Sequence, residues 1–397
     1  MKVLHVIPSV ALNQGGPSLA VSFMASGLSK AGVKVDVATT DDDGVGGHLD
    51  VPLNRAIDQN GATFYYFRRH SRFYKASWSL TGWLSENIHR YDLVHIHALF
   101  SYSSCAAAHL AIRKGVPYII RPLGVLNRWG LENRRKLLKR FSFRLIEQRI
   151  LRNASAIHYT SNQEKSEAEL SGATTTPVVI PLGIDLSDFE SLPGPERFYA
   201  QFPVASGRRI ILFLSRLDRK KGLDLLLPAF AEIHGRHPES LLVIAGSGEE
   251  SFVDRLHQMA RQLAIDDNIV WAGFLSGQDK LAAFAAASFF ALPSYSENFG
   301  LALVEALAAG LPCVVSDQIG IASDVEEFEA GLRVPCEAAA LAAAFDRLIV
   351  EPRLCEQFSI NARRLANNRF SPDAMTSALV SLYNRVLSRH KNAAMVC

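Results

Sequence analysis

Residues 291–317 read ALPSYSENFGLALVEALAAGLPCVVSD. An apolar strand ends at Pro293, a polar loop follows, and an apolar helix starts near Phe299 or Gly300. Gly310 and Pro312 then stop the helix before a second apolar run, LPCVVSD. Short apolar runs alternating with helical stretches are the pattern of a parallel α/β sheet. Within this unit Glu297 precedes the helix and Glu305 lies inside it, eight positions later. A helix N-terminus gathers unpaired amide N–H groups and partial positive charge, so the backbone of Asn298, Phe299, Gly300 and Leu301 forms a place for phosphate. Glu305 lies about 8 Å into the helix at about 1.5 Å per residue. Two carboxylates flanking a phosphate site accept hydrogen bonds from hydroxyls at both ends of a nucleotide sugar. The same residues also suit plainer roles, Glu297 as a helix cap and Glu305 as a paired or solvated helix residue.

The alternation extends along the whole chain. Apolar runs at 2–9, 33–40, 91–98, 116–122, 154–161 and 176–185 form one series, with a helix ending at Gly32. A second series lies at 208–217, 240–248, 268–275, 289–295 and 311–317. Between them, DFESLPGPERFYAQFPVASG has the proline and glycine content of a linker. The spacing therefore predicts an α/β protein of two Rossmann-like, doubly wound domains facing each other across a cleft. Their bounds are 1–186 and 208–374, with a linker at 187–207 and a last helix, 375–397, packed back on the first domain.

Composition excludes several classes. With 397 residues, 48% apolar and 20% charged, the chain is globular rather than disordered, and a net charge of +3 is too mild to argue for nucleic acid. Five cysteines without C-x-x-C spacing suggest neither a disulfide framework nor zinc, and fit a reducing compartment. The start, MKVLHVIPSV, lacks a signal peptide's apolar core, so a cytoplasmic location is expected. Asp41 opens TTDDDGVGG like a calcium loop, but Pro52 occupies the twelfth position, where an acid is required. Gly246-x-Gly248 has Ser251 where a dinucleotide fingerprint needs its third glycine.

Further polar groups fall at strand ends. In FLSRLDRKKGLDLLLPAF (213–230), Arg216 ends a strand and Lys221 precedes Gly222 at a helix start, placing two cations where a phosphate belongs. Arg219 and Lys220 lie alongside, and charge alone does not say which lysine points inward. Gly15 and Gly16 in NQGGPS permit a tight turn or a close backbone approach. His95 and His97 in DLVHIHALF share a strand face, His97 at its carboxyl end, and no third ligand at diagnostic spacing makes them a metal site.

In order and spacing, GGP, HIH, IPLGID, SRLDRKKG, AGSG and ENFGLALVEALAAGLPCVVSD resemble glycosyltransferase family 4, retaining enzymes of the GT-B fold. Ile321 in SDQIGIASDV departs where the family often has a second glycine. The resemblance implies a nucleoside-diphosphate sugar donor, bound by Arg216, Lys221 and the backbone of Gly16 and of Asn298 to Leu301, with Gly246 and Phe274 nearby. Glu305 would take the ribose hydroxyls and Glu297 those of the transferred sugar, with His97 near the anomeric centre. It further implies no metal and no cofactor, the arginine and lysine stabilising the leaving diphosphate. The expected reaction is hexose transfer, from UDP-glucose first and GDP-mannose second, to a saccharide or lipid-linked saccharide in glycan assembly. A nucleotide-sugar 2-epimerase of the same fold and a non-catalytic nucleotide-sugar-binding protein are the alternatives.

Residues 121–152 carry ten Arg or Lys against two Glu, interleaved with Trp129, Phe141 and Phe143. This stretch suits peripheral contact with an anionic membrane, and equally a packed helix with a solvated cationic face. Arg121 and Trp129 resemble residues of acceptor pockets in the family.

Overall fold

A computed structural model of the protein describes residues 1–11, 16–44, 46–71, 73–126, 142–170 and 175–396. The apolar runs fold as strands of two parallel sheets in two compact units, Met1–Ile184 with Pro372–Cys397, and Asp185–Ser371.

In the first unit the strands are β1 (Lys2–Ser9), β2 (Lys34–Thr40), β3 (Ala56–Gln59), β4 (Ala62–Phe67), β5 (Leu93–His97), β6 (Tyr118–Arg121), β7 (Ala156–Tyr159) and β8 (Pro177–Val179). Their order is β3-β4-β2-β1-β5-β6-β7-β8, parallel except for the β3–β4 hairpin. Asn60 and Gly61 join that hairpin with positive φ of 54° and 81°, the primed turn that an Asn-Gly pair favours. The helices are α1 (Gly16–Lys30), α2 (Trp78–Asn87), α3 (Tyr102–Lys114), α4 (Gln148–Asn153) and α5 (Asn162–Leu170). Ser77 and Ser101 cap α2 and α3 through their side chains, and Gly115, with φ 66°, ends α3.

The second unit begins with α6 (Ser187–Glu190) and α7 (Glu196–Gln201). Its strands β9 (Arg209–Leu214), β10 (Ser240–Ala245), β11 (Ile269–Gly273), β12 (Phe289–Leu292), β13 (Cys313–Ser316) and β14 (Gly331–Val334) are all parallel. The helices that follow are α8 (Leu223–Arg236), α9 (Glu250–Gln262), α10 (Gly277–Ala286), α11 (Leu301–Ala308), α12 (Ala322–Glu327), α13 (Ala338–Val350) and α14 (Pro352–Arg369). The sheet order β11-β10-β9-β12-β13-β14 is that of a doubly wound dinucleotide-type domain. Strand order reverses between β9 and β12, which opens the sheet's carboxyl edge at that point. The last helix, α15 (Pro372–Val396), belongs to the first unit and packs on α1.

The composition of 187–207 reads as a linker, yet these residues form α6, α7 and a short 3-10 turn within the second unit. The reason is aromatic: Phe189 and Phe198 are buried, and the Phe189 ring lies 6.0 Å from that of Phe284 on α10. Proline and glycine shape the turns while the phenylalanines supply the burial. Phe198→Ala is expected to cost about 3–5 kcal/mol in urea unfolding, the range for a fully buried aromatic; a change of a few tenths would return the segment to linker status.

Candidate functional site

The loops after β9 and β12 leave the sheet on either side of the point where strand order reverses. After β9, Arg216 is exposed and has no ion-pair partner among the described residues. Asp218 accepts from the Lys220 amide at 2.9 Å and starts a 3-10 turn, Arg219–Lys221, that delivers Lys221 inward. Of the two lysines, Lys221 is the buried one, and its Nζ is bonded to the carboxylate of Glu297. Gly222 follows with φ +70°, and a Cβ there would lie 2.0 Å from the Pro293 carbonyl oxygen. Only glycine permits that approach. The Tyr295 amide donates to the Lys220 carbonyl at 2.7 Å, so the two loops are stitched through their backbones.

Glu297 is fixed from its own backbone. Its amide donates to the Gln318 carbonyl at 3.1 Å, and its carbonyl accepts from the Gly320 amide at 2.8 Å. Gly300, with φ +86°, turns the chain into α11, whose N-terminus has no side-chain cap. Its first amides are therefore available to an anion. The Phe299 side chain is buried against Phe370, ring centroids 5.6 Å apart, so only its backbone can serve a ligand.

Glu305 lies among buried neighbours and is itself only half-buried. Leu303, Val304, Ala306, Leu307 and Ala308 are buried, but Glu305 sits on the open side of α11. Its Oε1 is 2.8 Å from the Nζ of Lys280 on α10. This partner was invisible in the sequence because it comes from a separate helix. One oxygen is engaged, and a carboxylate retains further acceptor sites.

Of two other named positions, Gly246 is explained by packing and Phe274 is not. Gly246 has φ +148°, and a Cβ there would meet the Ser215 carbonyl oxygen at 1.9 Å, so the glycine allows β9 and β10 to end close together. Phe274 follows Gly273 at the end of β11 and is 76% exposed.

In the first unit, parallel register gathers a polar seam on one sheet face. His5 on β1 is opposite His95 on β5, and His97 is opposite Arg121 on β6. All four, with His158 on β7, are buried. His5 Nδ1 is 3.0 Å from His97 Nε2, His95 Nδ1 is 2.8 Å from the Tyr383 hydroxyl of α15, and His158 Nε2 is 2.9 Å from the Ile180 carbonyl. His97 ends its strand, its ring buried beside His5 and Arg121. Burial, followed by the field of neighbouring histidines and Arg121, holds His95 and His97 well below the usual imidazole range; His5 and His158 are pushed to about 3, by burial and then Arg121. Arg121 is itself pushed down to about 10 by burial, has no ion-pair partner among the described residues, and its Nε lacks a hydrogen bond.

His5 is the third imidazole that the sequence did not bring to His95 and His97. Ligand nitrogens of the three lie within 4.8 Å of one another. Two of them are hydrogen-bonded to each other, and the Arg121 guanidinium is 3.5 Å from His97 Nδ1. A dication there would sit beside the Arg121 guanidinium, so this donor set fits a hydrogen-bonded seam better than a metal centre. The acidic TTDDD stretch is similarly occupied: Asp41 receives Arg68 at 2.9 Å and His48 at 3.0 Å, and Asp42 pairs with Arg69 and Lys75. Gly16 is the first residue of α1, while Trp129 and most of the basic stretch lie outside the described residues.

The family model for glycosyl transferases group 1 matches residues 196–365, and that for a glycosyl transferase 4-like domain matches residues 15–183. The chain belongs to the group 1 glycosyltransferases. Among similar proteins, an uncharacterized glycosyltransferase of Methanocaldococcus jannaschii is 26% identical over 93% of this chain and 94% of its own length. A D-inositol 3-phosphate glycosyltransferase of Corynebacterium jeikeium is 31% identical over 62% of this chain, a match that spans 61% of that protein. Anabaena HepE, solved with UDP and glucose, superposes with a TM-score of 0.76 at 20% identity, covering 97% of this chain and all of that one. Sucrose-phosphate synthase from Thermosynechococcus elongatus gives 0.75 at 21%, over 98% of this chain and all of its own. This group 1 glycosyltransferase therefore has the two α/β domains of the GT-B class, and no described helix is long and apolar enough to cross a membrane.

The seam makes the stability of this glycosyltransferase pH-dependent. Below about pH 6.5 the unfolded chain takes up protons that the buried histidines refuse, so stability is full above that pH and is lost on acidification. Each histidine contributes up to about 1.4 kcal/mol per pH unit in the window down to its folded value. Urea midpoints are expected to fall steeply between about pH 7 and pH 5, and less steeply in His158→Gln. Equal slopes in the two proteins would remove His158 from the account.

Proposed function

We propose that this glycosyltransferase moves a hexose from a nucleoside-diphosphate sugar of the UDP-glucose type to a saccharide or lipid-linked saccharide, with retention and without a metal, in the assembly of a glycan. The observation that carries this reading is one carboxyl edge holding Lys221, the open guanidinium of Arg216, an uncapped helix start at Gly300, and the carboxylates of Glu297 and Glu305. A diphosphate fits the helix start and the two cations, which neutralise the charge that develops as the sugar departs. Glu305, oriented by Lys280, then accepts from ribose hydroxyls, and Glu297, oriented by Lys221 and its fixed backbone, accepts from the transferred sugar. Lys221 is shared between Glu297 and the phosphate, which couples sugar recognition to leaving-group stabilisation. UDP and UDP-glucose are bound by the structurally similar HepE, which favours uridine over guanosine as the base.

Thermal-shift titration with UDP and GDP tests the donor directly, and a response to neither would sink the reading. Glu297→Ala is expected to lower kcat by about 100-fold while changing UDP affinity little, and Glu305→Ala to weaken UDP binding by about tenfold or more. Equal effects on both parameters in both variants would abolish the division of roles. Turnover measured with and without EDTA should be unchanged; a loss restored by a divalent cation would assign the leaving-group charge to a metal instead.

A further inference from the structure

The carboxyl edge of the first unit carries an aromatic feature that neither folding nor the donor reading uses. Trp78 is the first residue of α2, after β4, and Tyr102 is the first residue of α3, after β5, so parallel topology places both at the edge where strands end. Trp78 is 59% exposed. The rings of Trp78 and Tyr102 are 5.2 Å apart at 89°, an edge contact that leaves indole surface open. His70 lies nearby, its ring 6.3 Å away and tilted by 32°.

Both aromatic residues are held in place. The Trp78 amide donates to His70 Nδ1 at 3.3 Å, and Ser77 caps α2 by accepting from the Leu80 amide. The Tyr102 hydroxyl is 2.8 Å from Thr81 Oγ1, one turn along α2. An indole fixed in position and left in water forgoes the burial that normally stabilises tryptophan. A rigid aromatic surface with polar groups at its rim suits a ligand that is itself apolar on one face and hydroxylated at its edge. A pyranose ring has that character: its axial C–H groups stack on the indole while its equatorial hydroxyls reach His70 and bulk water.

We propose that Trp78, supported by Tyr102 and His70, is a stacking platform for a pyranose unit of the acceptor. The proposal rests on the saccharide-acceptor part of the proposed function and is independent of the donor residues. Its test uses the full chain labelled with 5-fluorotryptophan, whose four indoles give separate fluorine NMR signals, Trp78 being assigned by its loss in Trp78→Phe. Methyl α-D-glucopyranoside, methyl α-D-mannopyranoside and maltose are titrated without nucleotide. At least one is expected to shift the Trp78 signal saturably with the other three unmoved, and saturation transfer to that sugar is expected to weaken about tenfold in Trp78→Ala, in line with the loss of one aromatic stack. Thermal unfolding of that variant checks that it folds.

No movement of the Trp78 signal with any of the three, or equal movement of all four signals, overturns the proposal. So does a shift produced by phosphatidylglycerol vesicles and not by sugars, which would make the platform a lipid contact. A sugar-responsive Trp78 in a protein that ignores UDP and GDP would sink the donor reading and leave the platform standing. A protein that binds UDP while Trp78 ignores sugars would do the opposite.

Discussion

The second unit depends on a contact with no side chain in it, between the α-carbon of Gly222 and the carbonyl of Pro293. The start of α8 can press against the end of β12 only because position 222 lacks a Cβ. That approach fixes the loop after β9 over the loop after β12 and brings Lys221 to Glu297. Strand order reverses at the same place, so the topology opens the edge that the glycine then narrows. Cation, carboxylate and uncapped helix start are thus assembled by backbone geometry before any ligand arrives.

Much of this was legible in the sequence because the decisive residues are local. The strand, loop and helix of 291–317 are where alternation and the Gly-Pro stop put them, whereas charge left open which of Lys220 and Lys221 turns inward, and the 3-10 turn after Asp218 decides it. Lys280 was not legible, since its meeting with Glu305 is made by two helices packing rather than by spacing. His5 was missed for a similar reason: ninety residues separate it from His95, and only parallel register makes them neighbours. The hairpin of β3 and β4 was readable from Asn60-Gly61 and was overlooked, β3 being four residues long with Asp and Gln among them. At 187–207 the proline and glycine content outweighed, in the reading, two phenylalanines that decide the packing.

One face of the first unit's sheet is polar where a core is usually apolar. Four imidazoles and a guanidinium occupy one face of a sheet, and each imidazole is kept neutral by its surroundings. Hydrogen bonds along the row replace the apolar contact that leucines would make, and they are directional. Such a row tolerates little sliding of one strand on the next, because a one-residue slip would turn the rings to the opposite face. The seam therefore specifies register among the strands that carry it, β1, β5, β6 and β7.

Two rings in that row, His95 and His5, meet the hydroxyl of Tyr383, which comes from α15 and not from any strand. The first unit is consequently assembled from two separate lengths of chain, with all of Asp185–Ser371 lying between them in sequence. During synthesis the sheet of the first unit emerges early, but the helix that covers α1 and bonds His95 is translated only after the entire second unit. For that interval His95 and His5 lack the hydroxyl that meets their rings in the finished fold.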